Sequence, residues 1–159
     1  MPLRFGRRHR RDQEPRSQGQ SLVEFALIVP VLLLLLLLTV DFGRLFYSWI
    51  TVHNAARVAA NFAGLNPYGD FASTTGDYQQ LTKNESLNAV CPITSAGSPL
   101  FADTPNDTNA TARDLGDQVS VSVSCSFGFL TPIISNVTGN PIPIGATSTF
   151  TVRVGPAQP

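Results

Sequence analysis

Residues 19–44 read GQSLVEFALIVPVLLLLLLLTVDFGR, an apolar run with one carboxylate, Glu24, at its mouth. The run is unbroken for 16 residues from Phe25 to Val40, and counting back across Glu24 to Leu22 gives a stretch of 19. As a helix that stretch rises about 28 Å, close to the hydrocarbon thickness of a bilayer. A buried helix of a soluble protein is the competing reading, but seven consecutive leucines from Leu32 to Leu38 leave no polar stripe for water. The sequence therefore predicts a transmembrane helix with its span at about residues 22–41. Pro30 predicts a mild kink and not an end, because neighbouring groups in such helices re-satisfy the freed carbonyl. A carboxylate beside hydrocarbon is costly, which makes Glu24 the leading functional residue.

Charge sets the orientation. The first 19 residues hold six arginines (Arg4, Arg7, Arg8, Arg10, Arg11 and Arg16) against Asp12 and Glu14, a net of +4. Beyond Arg44 the basic residues are Arg57, Lys83, Arg113 and Arg153 against seven acids, a net of −3. The positive-inside rule keeps the N-terminal tail in the cytoplasm and sends the C-terminal part across the membrane. The formal net charge of zero hides this asymmetry. A nucleic-acid role for the arginines is the weaker reading, since Phe5 is the tail's lone aromatic.

Cleavage of the run as a secretory signal needs small residues in an A-x-A pattern just past the core. Here Asp41, Phe42, Gly43 and Arg44 follow instead, and then bulky aromatics. The two cysteines, Cys91 and Cys125, are too far away to carry a lipid near the span. Phe42, Phe46, Tyr47 and Trp49 read as the interfacial belt of a retained helix.

The segment RSQGQSLVEFALIVPVLLLLLLLTVDFGRLFY, followed by VHNAARVAANFAG, resembles the N-terminal region of TadE-like proteins. These are minor pilin-like components of tight-adherence (Flp-type) pilus machinery in bacteria. The resemblance is close over residues 16–64 and general beyond. It implies a prepilin-peptidase site in which cleavage follows a glycine and a glutamate lies five residues on, usually followed by tyrosine. Gly19, Gln20 and Glu24 fit that count, with Phe25 in the tyrosine place. The implied partners are the lipid bilayer, a prepilin peptidase and other Tad/Flp pilin-like and assembly proteins. No cofactor, metal, nucleic acid or small-molecule substrate is implied.

Cleavage after Gly19 would free an α-amino group on Gln20, largely protonated at neutral pH and about one helical turn from Glu24. In a helical assembly the amine of one subunit could neutralise the glutamate of its neighbour, fixing axial register through the penalty for leaving either unpaired. The plainer alternatives are that Glu24 snorkels at the cytoplasmic interface and that Gly19 is a flexible joint.

Helical character continues to residue 63. Ala55, Ala59 and Ala63 form one small-residue ladder and Ala56 and Ala60 another, suited to close packing against a partner or the chain's own sheet. Alanine's plain helix propensity explains them equally. Gly64 and Asn66-Pro67 read as the stop. A helix of about 44 residues would run about 66 Å and protrude past the bilayer as a stalk.

From residue 64 the composition turns to Ser, Thr, Asn, Gly and Pro. One strand is expected over 118–129, with Val119, Val121, Val123, Cys125 and Phe127 on one face, and a second over 147–154. Pro132, Pro141 and Pro143 between them predict a connection without regular structure. Residues 77–90 suggest a short helix, and 92–113 a loop. The expected fold is α+β and pilin-like: a long N-terminal transmembrane helix continuing into a small extracytoplasmic domain with an antiparallel β-sheet. Its parts are a basic leader (1–19), a membrane and stalk helix (20–63) and the exported domain (64–159).

Two cysteines in an exported domain predict a Cys91–Cys125 disulfide, against two free thiols in a reducing compartment. Catalysis finds little support, since the chain's two histidines are His9 in the tail and His53 on the predicted helix. The loop 103–109 (DTPNDTN) offers oxygen ligands but lacks the EF-hand order and reads better as a polar turn. Asn84, Asn106, Asn109 and Asn136 match a glycosylation pattern that is common by chance in such sequence. The expected function is that of a non-enzymatic TadE-like pseudopilin in the inner membrane. A membrane-tethered adhesion module, not processed by the peptidase, is the alternative, and an anchor for a larger envelope complex a weaker third.

Overall fold

A computed structural model describes residues 18–86, 90–103 and 113–155. The elements run α1 (Gln18–Leu65), α2 (Asp77–Asn84), β1 (Leu100–Ala102), β2 (Gln118–Phe127), α3 (Pro132–Thr138) and β3 (Ile142–Thr151). The chain divides into two units between Leu36 and Leu37. In the first, the described residues are all helical, with Pro30 inside α1, and their large apolar side chains face outward.

The second unit carries an antiparallel sheet in the order β1-β2-β3. Strict alternation makes β2 its central strand: Val119, Val121, Val123, Cys125 and Phe127 are buried, and the serines between them point away. On that outer face Ser122 and Thr147 lie opposite each other and bond across the strands at 2.8 Å. Beneath the inner face lies the C-terminal half of α1, where Val52, Ala55, Ala56, Ala59, Ala60 and Ala63 are all buried in one core with β2, Ile144 and Ala146. Alanine's lack of bulk lets the helix backbone approach the sheet closely. The expected α+β fold with an antiparallel pair is what the structure has.

Several local expectations need correction. The connection between the two long strands is regular: Pro132 opens α3, a position where its missing N–H costs nothing, and Pro143 lies within β3 opposite Ser126. β3 tolerates that proline because it is an edge strand. It therefore begins at Ile142, five residues before the expected start, and β2 ends at Phe127 and not at 129. The stretch expected as loop contains β1, paired with Val119 at Phe101, whose ring lies 6.1 Å from that of Phe71. Helix α2 stops at Asn84, short of the expected 90.

Gly64 does not end α1. It is helical, and a Cβ there would come within 2.8 Å of the Thr151 carbonyl oxygen, so the glycine serves close approach to β3. Arg153 N–H donates to Gly64 O at 2.8 Å, fixing the contact. The helix ends one residue later, where the Asn66 side-chain amide and backbone N–H both donate to Phe62 O.

Helix α2 is held from below. The Gln79 side-chain amide donates to Ala96 O at 3.1 Å and accepts from Ala96 N–H at 2.9 Å. The Tyr78 hydroxyl donates to Gly97 O, and its ring meets Phe71 edge-on at 5.2 Å. Cys91 and Cys125 are joined by a disulfide with their Cα atoms 5.6 Å apart, tying this layer to the inner face of β2.

Candidate membrane anchor and helix-domain clamp

In the first unit Glu24 faces outward among apolar side chains, and the amide of Gln20 donates to its Oε1 at 3.4 Å. Nothing lies within 4 Å of where a Cβ on Gly19 would stand. Gly19 and Gln20 lie within α1. The six leader arginines, Asn106 and Asn109, and most of the 103–109 loop lie outside the described residues.

Phe42, Phe46, Tyr47 and Trp49, after the run, are all exposed. Phe46 stacks on Trp49 at 6.1 Å, and Trp49 contacts the His53 ring at 4.3 Å, so the helical histidine is engaged with an aromatic neighbour. The five alanines of the two ladders instead face the chain's own sheet. Of the glycosylation matches, Asn84 ends α2 and Asn136 lies on α3. Among the described residues no three His, Cys, Asp or Glu side chains gather as a metal would require.

In the sequence Asp41 reads as the end of the span, and the structure gives it a larger part. Its carboxylate is buried at 1% exposure and accepts Leu130 N–H at 3.0 Å and Thr131 N–H at 2.8 Å. Arg44, one turn on, donates to Asp41 Oδ1 at 3.1 Å and lies over the Phe127 ring, with its carbon 5.4 Å from the centroid. One helix residue thus fixes the loop between β2 and α3. The signal was present as an acid and a base three apart directly after an apolar run, but that spacing also describes an ordinary surface pair.

Among the described residues one helix is long and apolar enough to cross a membrane, and the apolar part of it is unburied. That helix, with the small disulfide-bonded α+β unit after it, supports a single-pass membrane protein. Residues 19–61 match the family model described as TadE-like protein, so this segment of the chain is TadE-like. No curated protein and no solved structure matches the chain. The match covers the anchor and the first alanines of the ladders, and with the apolar helix it supports a Tad-associated membrane protein.

Proposed function

We propose that the chain is a TadE-like pseudopilin of Tad/Flp-type pilus assembly or secretion machinery, acting by helix and subunit packing without chemistry of its own. The observation that carries the reading is the coincidence, within the matched residues 19–61, of an outward-facing apolar helix and a carboxylate five residues after Gly19. In this reading residues 1–19 are a cytoplasmic leader, 20–63 the membrane and stalk helix, and 64–159 an extracytoplasmic domain on the far side of the inner membrane. The Cys91–Cys125 bridge supports that sidedness, since disulfides persist in oxidising compartments. Prepilin peptidase cuts between Gly19 and Gln20, and the new amine of one subunit pairs with Glu24 of the next. Phe42, Phe46, Tyr47 and Trp49 anchor the helix at the interface.

Mass spectrometry of the membrane-extracted chain from cells with and without the peptidase tests this directly. Gln20 is expected as the first residue in the one and the intact leader in the other. An intact leader in both, with surface binding kept by the exported part, would establish the tethered-adhesion alternative. Glu24→Ala should abolish co-purification of neighbouring subunits while leaving membrane insertion intact; unchanged co-purification and piliation would remove the register role.

A further inference from the structure

The clamp at Asp41 brings part of the domain down to the end of the apolar run. Asp41 is the first residue after that run, and it holds the backbone of Leu130 and Thr131. The chain then enters α3, whose Ile134 lines a cleft together with Leu38, Thr39, Phe42, Leu45 and Phe129. Leu38 and Thr39 belong to the last turn of the run. Segment 129–138 therefore sits at the level where the span's own side chains leave hydrocarbon.

What this segment exposes is suited to lipid. Leu130 is 57% exposed and Val137 82%, on the same unit as outward-facing Phe42 and Phe46. Two of its hydroxyls bond its own backbone, Ser135 donating to Pro132 O at 2.8 Å and Thr138 to Ile134 O at 2.9 Å, while Asn136 is exposed. From Gln118 to Val152, 35 residues, there is no Asp, Glu, Lys, Arg or His. An uncharged segment can enter the acyl boundary without the cost of taking a charge out of water.

We propose that Leu130 and α3 form a second membrane contact, bedded in the headgroup and acyl boundary beside the transmembrane helix. The occupant of this face is the lipid surface of the protein's own membrane, because Ile134 and Leu38 line one cleft at the end of the apolar run and Leu130 and Val137 are exposed on the same segment. This rests on the single-pass reading and adds to it that the domain is seated on the bilayer.

Tryptophan quenching in vesicles of phosphatidylcholine and phosphatidylglycerol tests the seating with the full chain. In a Trp49→Phe background, single tryptophans are placed by Leu130→Trp, Val137→Trp, Leu33→Trp for the span and Tyr68→Trp as the aqueous reference. Acyl chains brominated near the headgroup should quench Leu130→Trp and Val137→Trp several-fold more than Tyr68→Trp, while bromines near the bilayer centre quench Leu33→Trp most. Quenching at both α3-side positions equal to that of Tyr68→Trp, with Leu33→Trp still quenched, would overturn the proposal and leave the face to a protein partner. An unquenched Leu33→Trp would overturn the single-pass reading and the proposal with it. The two α3-side positions report separately, so misfolding of one leaves the other to decide.

Discussion

Replacing Asp41 by alanine removes the acceptor for three donors at once, and the structure allows the loss to be apportioned. The Leu130 and Thr131 N–H groups, at 3.0 and 2.8 Å, have a charged acceptor, a class of bond that contributes about 1.5–3 kcal/mol each. Arg44 loses less, because its side chain remains partly exposed, stacks on Phe127 and lies 3.5 Å from Gly128 O. With water admitted to the small space left behind, Asp41→Ala should cost roughly 3–4 kcal/mol. Asp41→Asn keeps one acceptor and should cost about half as much, and Arg44→Ala about 1 kcal/mol or less. Urea unfolding of the full chain in detergent, followed by Trp49 fluorescence, gives these differences from the shift in midpoint at constant slope. A loss below about 1 kcal/mol for Asp41→Ala would refute the clamp. So would an Arg44→Ala loss as large as that of Asp41→Ala, since the ion pair and not the backbone bonds would then dominate.

Three further perturbations probe the rest of the domain. Gly64→Ala drives a methyl group to 2.8 Å from Thr151 O and should destabilise by about 1–3 kcal/mol in the same assay, where an ordinary helical glycine would gain stability. Cys91→Ser combined with Cys125→Ser opens a loop of 34 residues' separation and should cost about 3–4 kcal/mol, with reductant lowering the wild-type midpoint by the same amount and leaving the double variant unmoved. Burial pushes the Tyr78 hydroxyl up to about 12 from its ordinary value of 10.0, so the unfolded chain ionises first. Stability should hold below pH 10 and drain between 10 and 12 by roughly 2–3 kcal/mol; Tyr78→Phe should abolish that alkaline decline, and an identical decline in the variant would count against the assignment.

What could be read from sequence was whatever one solvent dictates over many residues. The apolar run needs only hydropathy, and β2 announces itself because Val119 to Phe127 alternates against serine without a break. The disulfide followed from compartment and count. What escaped was decided by single contacts at a distance. Pro143 looks like a breaker until it is known that β3 is an edge strand among the described residues, and Gly64 looks like a helix stop until Thr151 is placed against it. The three residues of β1 carry no period at all, and are held instead by Phe101 packing on Phe71 and under Arg113, whose guanidinium lies 4.9 Å from the ring. Asp41 is the hardest case, because its partners are backbone groups 89 and 90 residues away.

The same fact explains how one helix serves two surroundings. Asp41, Leu45, Ser48, Val52, Ala55, Ala59 and Ala63 follow one another at intervals of three or four, the stripe of a helix with one covered face. Hydropathy does not reveal the stripe, for it holds a carboxylate and a serine, and its apolar members are mostly alanines no greasier than the residues around them. The buried polar members are nonetheless satisfied: Ser48 donates to Arg44 O at 2.9 Å and Asp41 accepts the loop, while Thr51 beside the stripe donates to Tyr47 O at 2.9 Å. A face built this way excludes lipid chains, which would leave the Asp41 charge unpaired, and admits only the one loop whose N–H groups meet it. The domain-facing stripe begins where the apolar run stops, so a single residue, Asp41, both closes the hydrocarbon segment and opens the docking face.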